Sequence, residues 1–330
     1  MAPRTTMAPR TTMAPRTTSK AGAPRLTRTV GAPTVNVAAR ASMSAFVVVL
    51  ATVVVAGCTG GTSKAAAPDP TPTSSDLTSP TSTATSSPEP TSMSVAPPGA
   101  DLPRGDEAVA LDPAQFTTQI DNAYWPMHVG TRWTYRETDP EGAVQEVVVV
   151  VTRQTKRVAN GVTARVVRDT VTEDGLLIED TRDWYAQDER GNIWYLGEDT
   201  AEFEDGRITT RAGSFEAGVD GALPGIVVPA DPKPGMRYRQ EYYAGEAEDN
   251  GEILSTDEMA EVPFGLFKGA LLTKDTNPLE PDVLEYKLYA TGVGPVLALD
   301  VSGGGGREEL VDMDQAPESA GTGPLGNPNP

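Results

Sequence analysis

Few residue types in this chain could carry out chemistry. The 330-residue sequence contains one histidine, His128, and one cysteine, Cys58. Any Ser-His-Asp machinery would therefore have to use His128, and the sequence has no Gly-x-Ser-x-Gly nucleophile motif. Sites with several histidines or with cysteine-bound zinc are excluded for the same reason. His128 precedes a predicted strand, so we interpret it as a structural or surface residue and predict no catalytic residue.

Aromatic side chains are concentrated in the segment DWYAQDERGNIWY, residues 183–195. Aromatic faces stack on sugar rings, so this segment supplies candidates for ligand binding. The candidates are Trp184, Tyr185, Trp194 and Tyr195. Packing in the core or across neighbouring strands is the alternative role, and it is the one we favour.

An acidic stretch, EAEDNGEILSTD at residues 246–257, has the length of a calcium-binding loop. Its oxygen-bearing side chains at the first, third, fifth and last positions are Glu246, Glu248, Asn250 and Asp257. Such loops normally begin with Asp and end with Glu, and no flanking helices are predicted. We therefore favour an acidic hairpin around Asn250-Gly251, and predict no cofactor, with calcium as the alternative.

The acidic residues are too numerous for their spacing to identify an acid and base pair. Among the 46 Asp and Glu residues, pairs occur at any chosen spacing. A glycoside hydrolase is recognised by the distance between two carboxyl groups in space, which the sequence does not give. A carboxylate-dependent cell-wall or glycan hydrolase is therefore kept as an alternative function.

The charge of the chain is strongly negative after Cys58. All 46 acidic residues follow this cysteine, against 20 Lys and Arg, which gives a net charge of −26. A nucleic-acid partner is disfavoured, because phosphate binding requires a positive surface, and we predict none. Electrostatic attachment to anionic lipid is disfavoured for the same reason.

Cys58 ends an apolar segment, AFVVVLATVVVAG at residues 45–57. A helix of this length would reach about 20 Å, which is shorter than the hydrocarbon core of a membrane. The length suits the apolar part of a secretory signal peptide, with Arg40 as its basic flank. The sequence Val55-Ala56-Gly57-Cys58 resembles the lipobox of bacterial lipoprotein signal peptides. That resemblance implies cleavage between Gly57 and Cys58, acylation of the cysteine, and anchoring in the cell membrane with the domain on the extracytoplasmic face.

The remaining boundaries follow from composition. Residues 1–44 contain MAPRTT three times and no acid, so we interpret them as a leader, either a targeting segment or sequence before the true start. Residues 58–100 are rich in Ser, Thr and Pro, which predicts a disordered stalk open to O-glycosylation. Residues 101–314 contain all four tryptophans and form the predicted single domain, and residues 315–330 are predicted to be a flexible tail.

The domain is rich in strand signals. VQEVVVVVTR (144–153) and VTARVVRDTVT (162–172) are β-branched runs, and Asn160-Gly161 between them is a strong hairpin turn signal. Only residues 112–121 have a helical signature, with Asp112 as the N-cap and Pro113 at the first position. We predict a mainly β fold, in which a single antiparallel curved sheet forms a half-barrel, barrel or sandwich, with one short N-terminal helix.

Two motifs open and close this domain. Residues 121–137 contain aromatic-Pro-x-x-x-Gly-x-x-Trp-x-Tyr, and residues 289–301 contain Tyr-Ala-x-Gly-Val-Gly-x-Val. They resemble the first and last strands of uncharacterised bacterial extracytoplasmic β proteins, and the middle of the domain is similar to secreted actinobacterial proteins of unknown function. The resemblance covers most of residues 121–312 and implies no catalytic residues. By analogy with lipoprotein-carrier half-barrels, it implies an open sheet that cradles acyl chains.

These observations favour a lipid-anchored extracytoplasmic protein that binds a ligand or partner at the cell envelope without catalysis. A lipid or a glycan is the expected ligand, held in an interior lined by Val, Leu and aromatic side chains. The membrane is the expected partner through the acyl chains on Cys58, and no oligomeric state is predicted. The alternatives are the hydrolase and a structural, calcium-stabilised envelope protein.

Overall fold

The computed structural model describes residues 98–302 and 305–327. The predicted leader, the signal sequence, Cys58 and nearly all of the stalk lie outside the described residues. The described part of the chain forms one 3₁₀ turn, Pro113–Gln115, and sixteen strands. The strands are β1 (Phe116–Thr117), β2 (Thr131–Thr138), β3 (Val144–Arg157), β4 (Thr163–Glu173), β5 (Leu176–Asp188), β6 (Ile193–Glu204), β7 (Arg207–Thr210), β8 (Phe215–Glu216), β9 (Leu223–Val228), β10 (Arg237–Arg239), β11 (Glu241–Tyr242), β12 (Asn250–Val262), β13 (Gly265–Thr276), β14 (Leu284–Ala290), β15 (Gly294–Ser302) and β16 (Arg307–Gln315). Within the described residues no helix is long and apolar enough to cross a membrane.

The strands form one antiparallel sheet that curls into a nearly closed barrel. Their order across the sheet is β10-β12-β13-β14-β15-β16-β2-β3-β4-β5-β6-β9-β11. The short strand β1 pairs with β5, and β7 and β8 pair with β6. Strands β2 to β6 form a meander, and β16 returns from the end of the chain to pair with β2. The predicted mainly β fold with a single antiparallel curved sheet is confirmed, and its form is a barrel.

The two motifs that bracket the domain contact each other inside this barrel. Trp133 Nε1 donates to the carbonyl oxygen of Val293 at 2.8 Å, and the Tyr135 hydroxyl donates to that of Pro295 at 3.1 Å. Gly294 has a φ of 114°, and a Cβ there would lie 2.8 Å from Cδ1 of the Trp125 ring. The glycine is thus required both for its backbone conformation and for the close approach of the tryptophan.

The predicted turns are confirmed in part. Asn160-Gly161 forms the β3–β4 turn, where the Gly161 N–H donates to the carbonyl oxygen of Val158 and its φ is 94°. The turn predicted at Asn250-Gly251 is wrong, because both residues lie in β12. A Cβ on Gly251 would lie 2.7 Å from the Tyr238 ring, so this glycine permits packing against the aromatic side chain.

The predicted N-terminal helix begins where expected and is much shorter than expected. The Asp112 side chain accepts a hydrogen bond from the Ala114 N–H at 3.0 Å, as the predicted N-cap requires. The structure that follows is the single turn Pro113–Gln115, because Phe116–Thr117 pairs with β5 as strand β1. The helical prediction for residues 112–121 is corrected to this one turn.

The segment after β16 is packed against the barrel through residue 327. Arg168 on β4 forms a buried ion pair with Asp180 on β5. Its guanidinium group also donates to the carbonyl oxygens of Gly323 at 2.8 Å and Pro324 at 3.0 Å, while the Gly326 N–H donates to Asp180 at 2.6 Å. The flexible tail predicted from residue 315 onward is therefore corrected for this segment. Composition did not reveal this packing, because Arg168, which holds the segment, lies far away in the sequence.

Candidate functional site

The barrel contains a cluster of carboxyl groups on strands from all around its wall. The register of the sheet sets Asp183 opposite Glu198, Asp275 opposite Glu285, and Glu137 opposite Glu308. The buried members of this carboxyl cluster are Glu137, Asp169, Asp183, Glu198, Glu241, Asp275, Glu285 and Glu308, with the partly buried Asp249 beside them. Lys287 brings a positive charge into the cluster, with its Nζ 2.7 Å from Glu285 and 3.1 Å from Asp275.

Burial raises the pKa values of eight carboxyl groups of the cluster, those of Glu137, Asp169, Asp183, Glu198, Glu241, Asp249, Glu285 and Glu308. Loss of solvent is the largest cause, and repulsion between neighbouring carboxylates adds to it in most of them. The pKa of Glu137 is raised to about 8, and that of Asp183 to about 7. Burial also raises the pKa of Glu198 well above its usual range. The raised pKa values keep these groups protonated to a higher pH than in water, which lowers the cost of burying many like charges.

Several buried oxygen atoms of the cluster lack a hydrogen-bond partner among the described residues. They include Glu137 Oε2, Asp169 Oδ1, Glu198 Oε1, Glu308 Oε2 and both carboxyl oxygens of Glu241, and the hydroxyl groups of Tyr238 and Thr273 are likewise unpartnered. Within the same part of the chain, no group of three or more His, Cys, Asp and Glu side chains is arranged to hold a metal ion. The unpartnered oxygens are buried polar atoms with unused hydrogen-bonding capacity.

One member of the cluster, Glu198, also lines a cavity of about 350 Å³. We call this cavity the Trp184 pocket, after the aromatic residue whose ring forms one wall. Its other lining residues are Lys156, Asp199, Ser214, Phe215, Glu216, Val219, Asp220, Ala222 and Tyr243. The pocket forms where β6 changes partner, since residues 193–195 pair with β9 and residues 197–198 pair with β8.

Gly197 makes this change of partner possible. It has a φ of 126°, and a Cβ there would collide with the carbonyl oxygen of Phe215. The glycine therefore allows β8 to approach β6 closely, with Phe215 paired opposite Glu198. This local geometry brings an aromatic ring and a buried carboxyl group to the same cavity.

Glu198, which we call the floor of the pocket, is held in place by the Tyr195 hydroxyl. The hydroxyl oxygen lies 2.9 Å from Asp183 Oδ1 and 2.8 Å from Glu198 Oε2. A phenol has one hydrogen to donate, so it bonds one carboxylate while the other carboxyl group, protonated, donates to the phenol oxygen. This arrangement agrees with the raised pKa values of both carboxyl groups. Glu198 Oε2 is turned toward Tyr195, which leaves Oε1 without a partner.

An ammonium group already occupies the tryptophan wall of the pocket. Lys156 Nζ lies 4.2 Å from the centre of the Trp184 ring and 2.9 Å from Glu216 Oε2. Aromatic faces attract cations, because the ring carries partial negative charge above its plane. A second acid of the lining, Asp199, is paired with Arg211 at 2.6 Å. A third, Asp220, is exposed on a turn at the rim and forms no ion pair within residues 98–302 and 305–327.

The four aromatic ligand candidates do not form one site. Trp184 lines the pocket, and Tyr195 lies behind it and holds Glu198. Tyr185 stacks on Tyr195 with 5.0 Å between ring centres, as part of the core. Trp194 donates to Asp188 at 2.9 Å and lines a different cavity, of about 500 Å³.

The four calcium candidates are not gathered in a loop. Glu248 accepts a hydrogen bond from the Gly245 N–H at 2.9 Å, in the turn that contains Glu246. Asn250 begins β12, and Asp257 lies seven residues further along the same strand. An extended strand separates these two residues by roughly 20 Å, which is far beyond the span of one calcium ion.

Sequence analysis missed the residues that give the pocket its chemistry. Lys156, Glu198 and Phe215 carried no recognisable motif, and their proximity to Trp184 depends on the register of β3 to β6 and on β8. The one available signal was the acid Glu198 directly after the aromatic run NIWYLG. A buried acid in a strand is unusual enough to nominate a functional residue.

The chain matches no protein-family model, and no curated protein matches it. A predicted exported protein with a YmcC-like fold from Bacteroides fragilis aligns with 59% of this chain and 100% of its own, at 15% identity and a TM-score of 0.36. A predicted lipoprotein from Parabacteroides distasonis covers 58% of this chain and 98% of its own, at 13% identity and a TM-score of 0.34. A β-barrel-like protein of DUF1849, a domain of unknown function, from Brucella abortus covers 57% and 98%, at 11% identity and a TM-score of 0.29. At these TM-scores the similarities support no conclusion about function.

Proposed function

We propose that this protein is a lipid-anchored extracytoplasmic protein whose barrel binds a polar small molecule in the Trp184 pocket without catalysis. The observation that carries this proposal is the pocket itself. Its volume of about 350 Å³ lies in the range of small-molecule sites. It combines an aromatic wall with a buried carboxyl group that has an unpartnered oxygen. The anchor rests on the likeness of Val55-Ala56-Gly57-Cys58 to a lipobox.

The lining favours a polar ligand over an acyl chain. An apolar chain in the pocket would keep water from the partly exposed carboxyl group of Glu216 without replacing its hydrogen bonds. Burying polar groups unpaired costs free energy, typically about 1–3 kcal/mol for each group. The apolar part of the barrel is occupied by its own side chains, among them Trp125, Trp133 and Tyr185. The acyl ligand expected from the resemblance to lipoprotein carriers is therefore replaced in the proposal by a polar one.

The proposal is tested by the small molecules that copurify with the protein. The full chain and its Trp184→Leu variant would be purified from cell envelopes, and their denatured extracts compared by mass spectrometry. Trp194→Leu is the matched control, since both tryptophans are 6% exposed and belong to the same core cluster, while only Trp184 lines the pocket. We expect a small polar molecule with the wild type and with the control, and its loss from the Trp184 variant. Extracts that do not differ among the three proteins would contradict the proposal.

A hydrolase is the second candidate function, and one observation favours it. Glu198 lines the pocket and burial raises its pKa, as a general acid requires. Asp183, joined to it through Tyr195, does not line the pocket, so the binding role is the better supported of the two. Release of sugar from cell-wall glycans by the wild type, with loss of this activity in Glu198→Gln, would establish the hydrolase instead.

A further inference from the structure

We propose that the ligand of the Trp184 pocket is an organic ammonium cation, and that the Lys156 side chain is an internal occupant which this cation displaces. The inference rests on the proposed function, because it names the ligand class of the same pocket. Four features of the pocket support it: the aromatic wall, the weak ion pair of Lys156, the charge of the lining and the unused acceptor of Glu198.

The aromatic wall is already a cation site. The Lys156 ammonium lies 4.2 Å from the centre of the Trp184 ring, within the range in which an aromatic face attracts a cation. Phe215 and Tyr243 add aromatic surface to the same lining. Aromatic walls of this kind are how proteins recognise ammonium groups, so the lysine marks the position that a ligand cation would take.

The lysine is held weakly enough to leave. Its ion pair is with Glu216, and the two side chains are 33% and 24% exposed. Ion pairs that are partly exposed to solvent contribute little to stability. Lys156 lies at the end of β3, next to the β3–β4 turn, and its flexible stem can carry the ammonium into solvent. Its departure leaves both the Trp184 face and Glu216 for a ligand.

The charge of the lining selects a cation. Four acids, Glu198, Asp199, Glu216 and Asp220, are among the lining residues of the pocket, and Lys156 is the basic residue among them. Arg211 neutralises Asp199, so Glu216 and Asp220 are the acids available once the lysine has moved. An anionic ligand would meet these carboxylates with no other cation in the lining to balance them.

The floor provides a hydrogen-bond acceptor that the protein does not use. Glu198 is 3% exposed, and its Oε1 has no partner among the described residues. Oε1 is itself buried, so a bound ammonium reaches it only once the Glu198 side chain turns toward the pocket, where an N–H group can donate to it. A cation beside a carboxyl group favours its charged form, which opposes the burial that raises the pKa of Glu198.

A matched pair of probes tests the inference. n-Pentylammonium reproduces the stem and charge of a lysine side chain, and 1-pentanol is its neutral counterpart. Binding of each to the full chain would be measured by titration calorimetry for the wild type and for Lys156→Ala, which lacks the internal occupant. We expect Lys156→Ala to bind n-pentylammonium about tenfold more tightly than the wild type, and 1-pentanol to bind neither protein. Lys156→Gln, which keeps the length of the side chain without its charge, provides a second variant if the alanine variant is unstable.

Two further variants make the test specific. Lys233→Ala removes an exposed lysine that is paired with Asp231 and lies outside the pocket, so it should leave the affinity unchanged. Glu198→Gln removes a carboxyl group from the lining, so it should weaken the binding of n-pentylammonium relative to the wild type.

The outcomes separate this inference from the proposed function. Equal affinities for n-pentylammonium and 1-pentanol, or no gain in affinity in either Lys156 variant, would overturn the ammonium inference. If a neutral molecule nevertheless copurifies with the protein and is lost in Trp184→Leu, the proposed binding function stands and only its ligand class is wrong. Failure of both experiments would remove the binding function as well.

Discussion

Replacing Glu137 by Gln removes one ionisable group from the carboxyl cluster and leaves the shape of the side chain unchanged. Glu137 lies on β2, between Gln145 on β3 and Glu308 on β16, and is 8% exposed. Its pKa is raised to about 8 from an ordinary value of 4.5, by burial first and then by repulsion from carboxyl groups that include Asp300. The folded protein therefore holds this proton more tightly than the unfolded chain does.

The sign of the pH dependence follows from this difference. The stability contributed by the protonated Glu137 is fully present below the unfolded pKa and is lost as the pH rises through the folded pKa of about 8. Each unit of pKa difference corresponds to about 1.4 kcal/mol, so Glu137 alone should cost the wild type about 3 kcal/mol of unfolding free energy between pH 5 and pH 8. Glu137→Gln lacks this loss.

Urea unfolding followed by tryptophan fluorescence measures the effect, since all four tryptophans lie in the barrel domain. The difference in unfolding free energy between Glu137→Gln and the wild type should be about 3 kcal/mol larger at pH 8 than at pH 5, in favour of the variant. Glu146→Gln, an exposed neighbour on β3, is the matched control. If the difference in unfolding free energy between Glu137→Gln and the wild type is the same at both pH values, the argument from burial is refuted.

Three further predictions concern the anchor, the C-terminal segment and the closing motif. Cys58→Ser should abolish labelling by a palmitate analogue and move the protein out of the membrane fraction, whereas retained labelling would contradict the lipobox hypothesis. Arg168→Met leaves Asp180 buried without its partner, and should cost about 3–5 kcal/mol in urea unfolding and open the segment after residue 315 to protease; an unchanged cleavage pattern would refute this role. Gly294→Ala forces a Cβ against Trp125 at a positive φ, and should lower stability by about 1–3 kcal/mol, measured by thermal unfolding, with a normal melting temperature as the contrary result.

The fold was predictable where local signals agree with the final pairing. The β-branched run in β3 and the Asn160-Gly161 turn identify a hairpin that the structure confirms, because both signals act over a few residues. The sequence did not decide among a half-barrel, a barrel and a sandwich, since closure of the barrel depends on β16 pairing with β2 across the whole domain. The turn predicted at Asn250-Gly251 failed because the glycine serves packing against Tyr238.

The candidate site was predictable only in fragments. Trp184 was nominated from its residue type, but the same argument nominated Trp194, which lies in a different cavity. Lys156 and Glu198 were not identified, because a side chain on one strand meets a side chain on another only through the register of the sheet. The raised pKa of Glu198 likewise arises from burial and from Asp183, neither of which a single sequence displays.

A crystal structure of the full chain, purified from cell envelopes without extensive washing, tests the binding function most directly. The account predicts electron density for a small polar molecule in the Trp184 pocket, in contact with the Trp184 ring and Glu198, with the Lys156 ammonium displaced from the tryptophan. Density for the Lys156 ammonium on Trp184 and for water alone in the pocket of the same protein would contradict it.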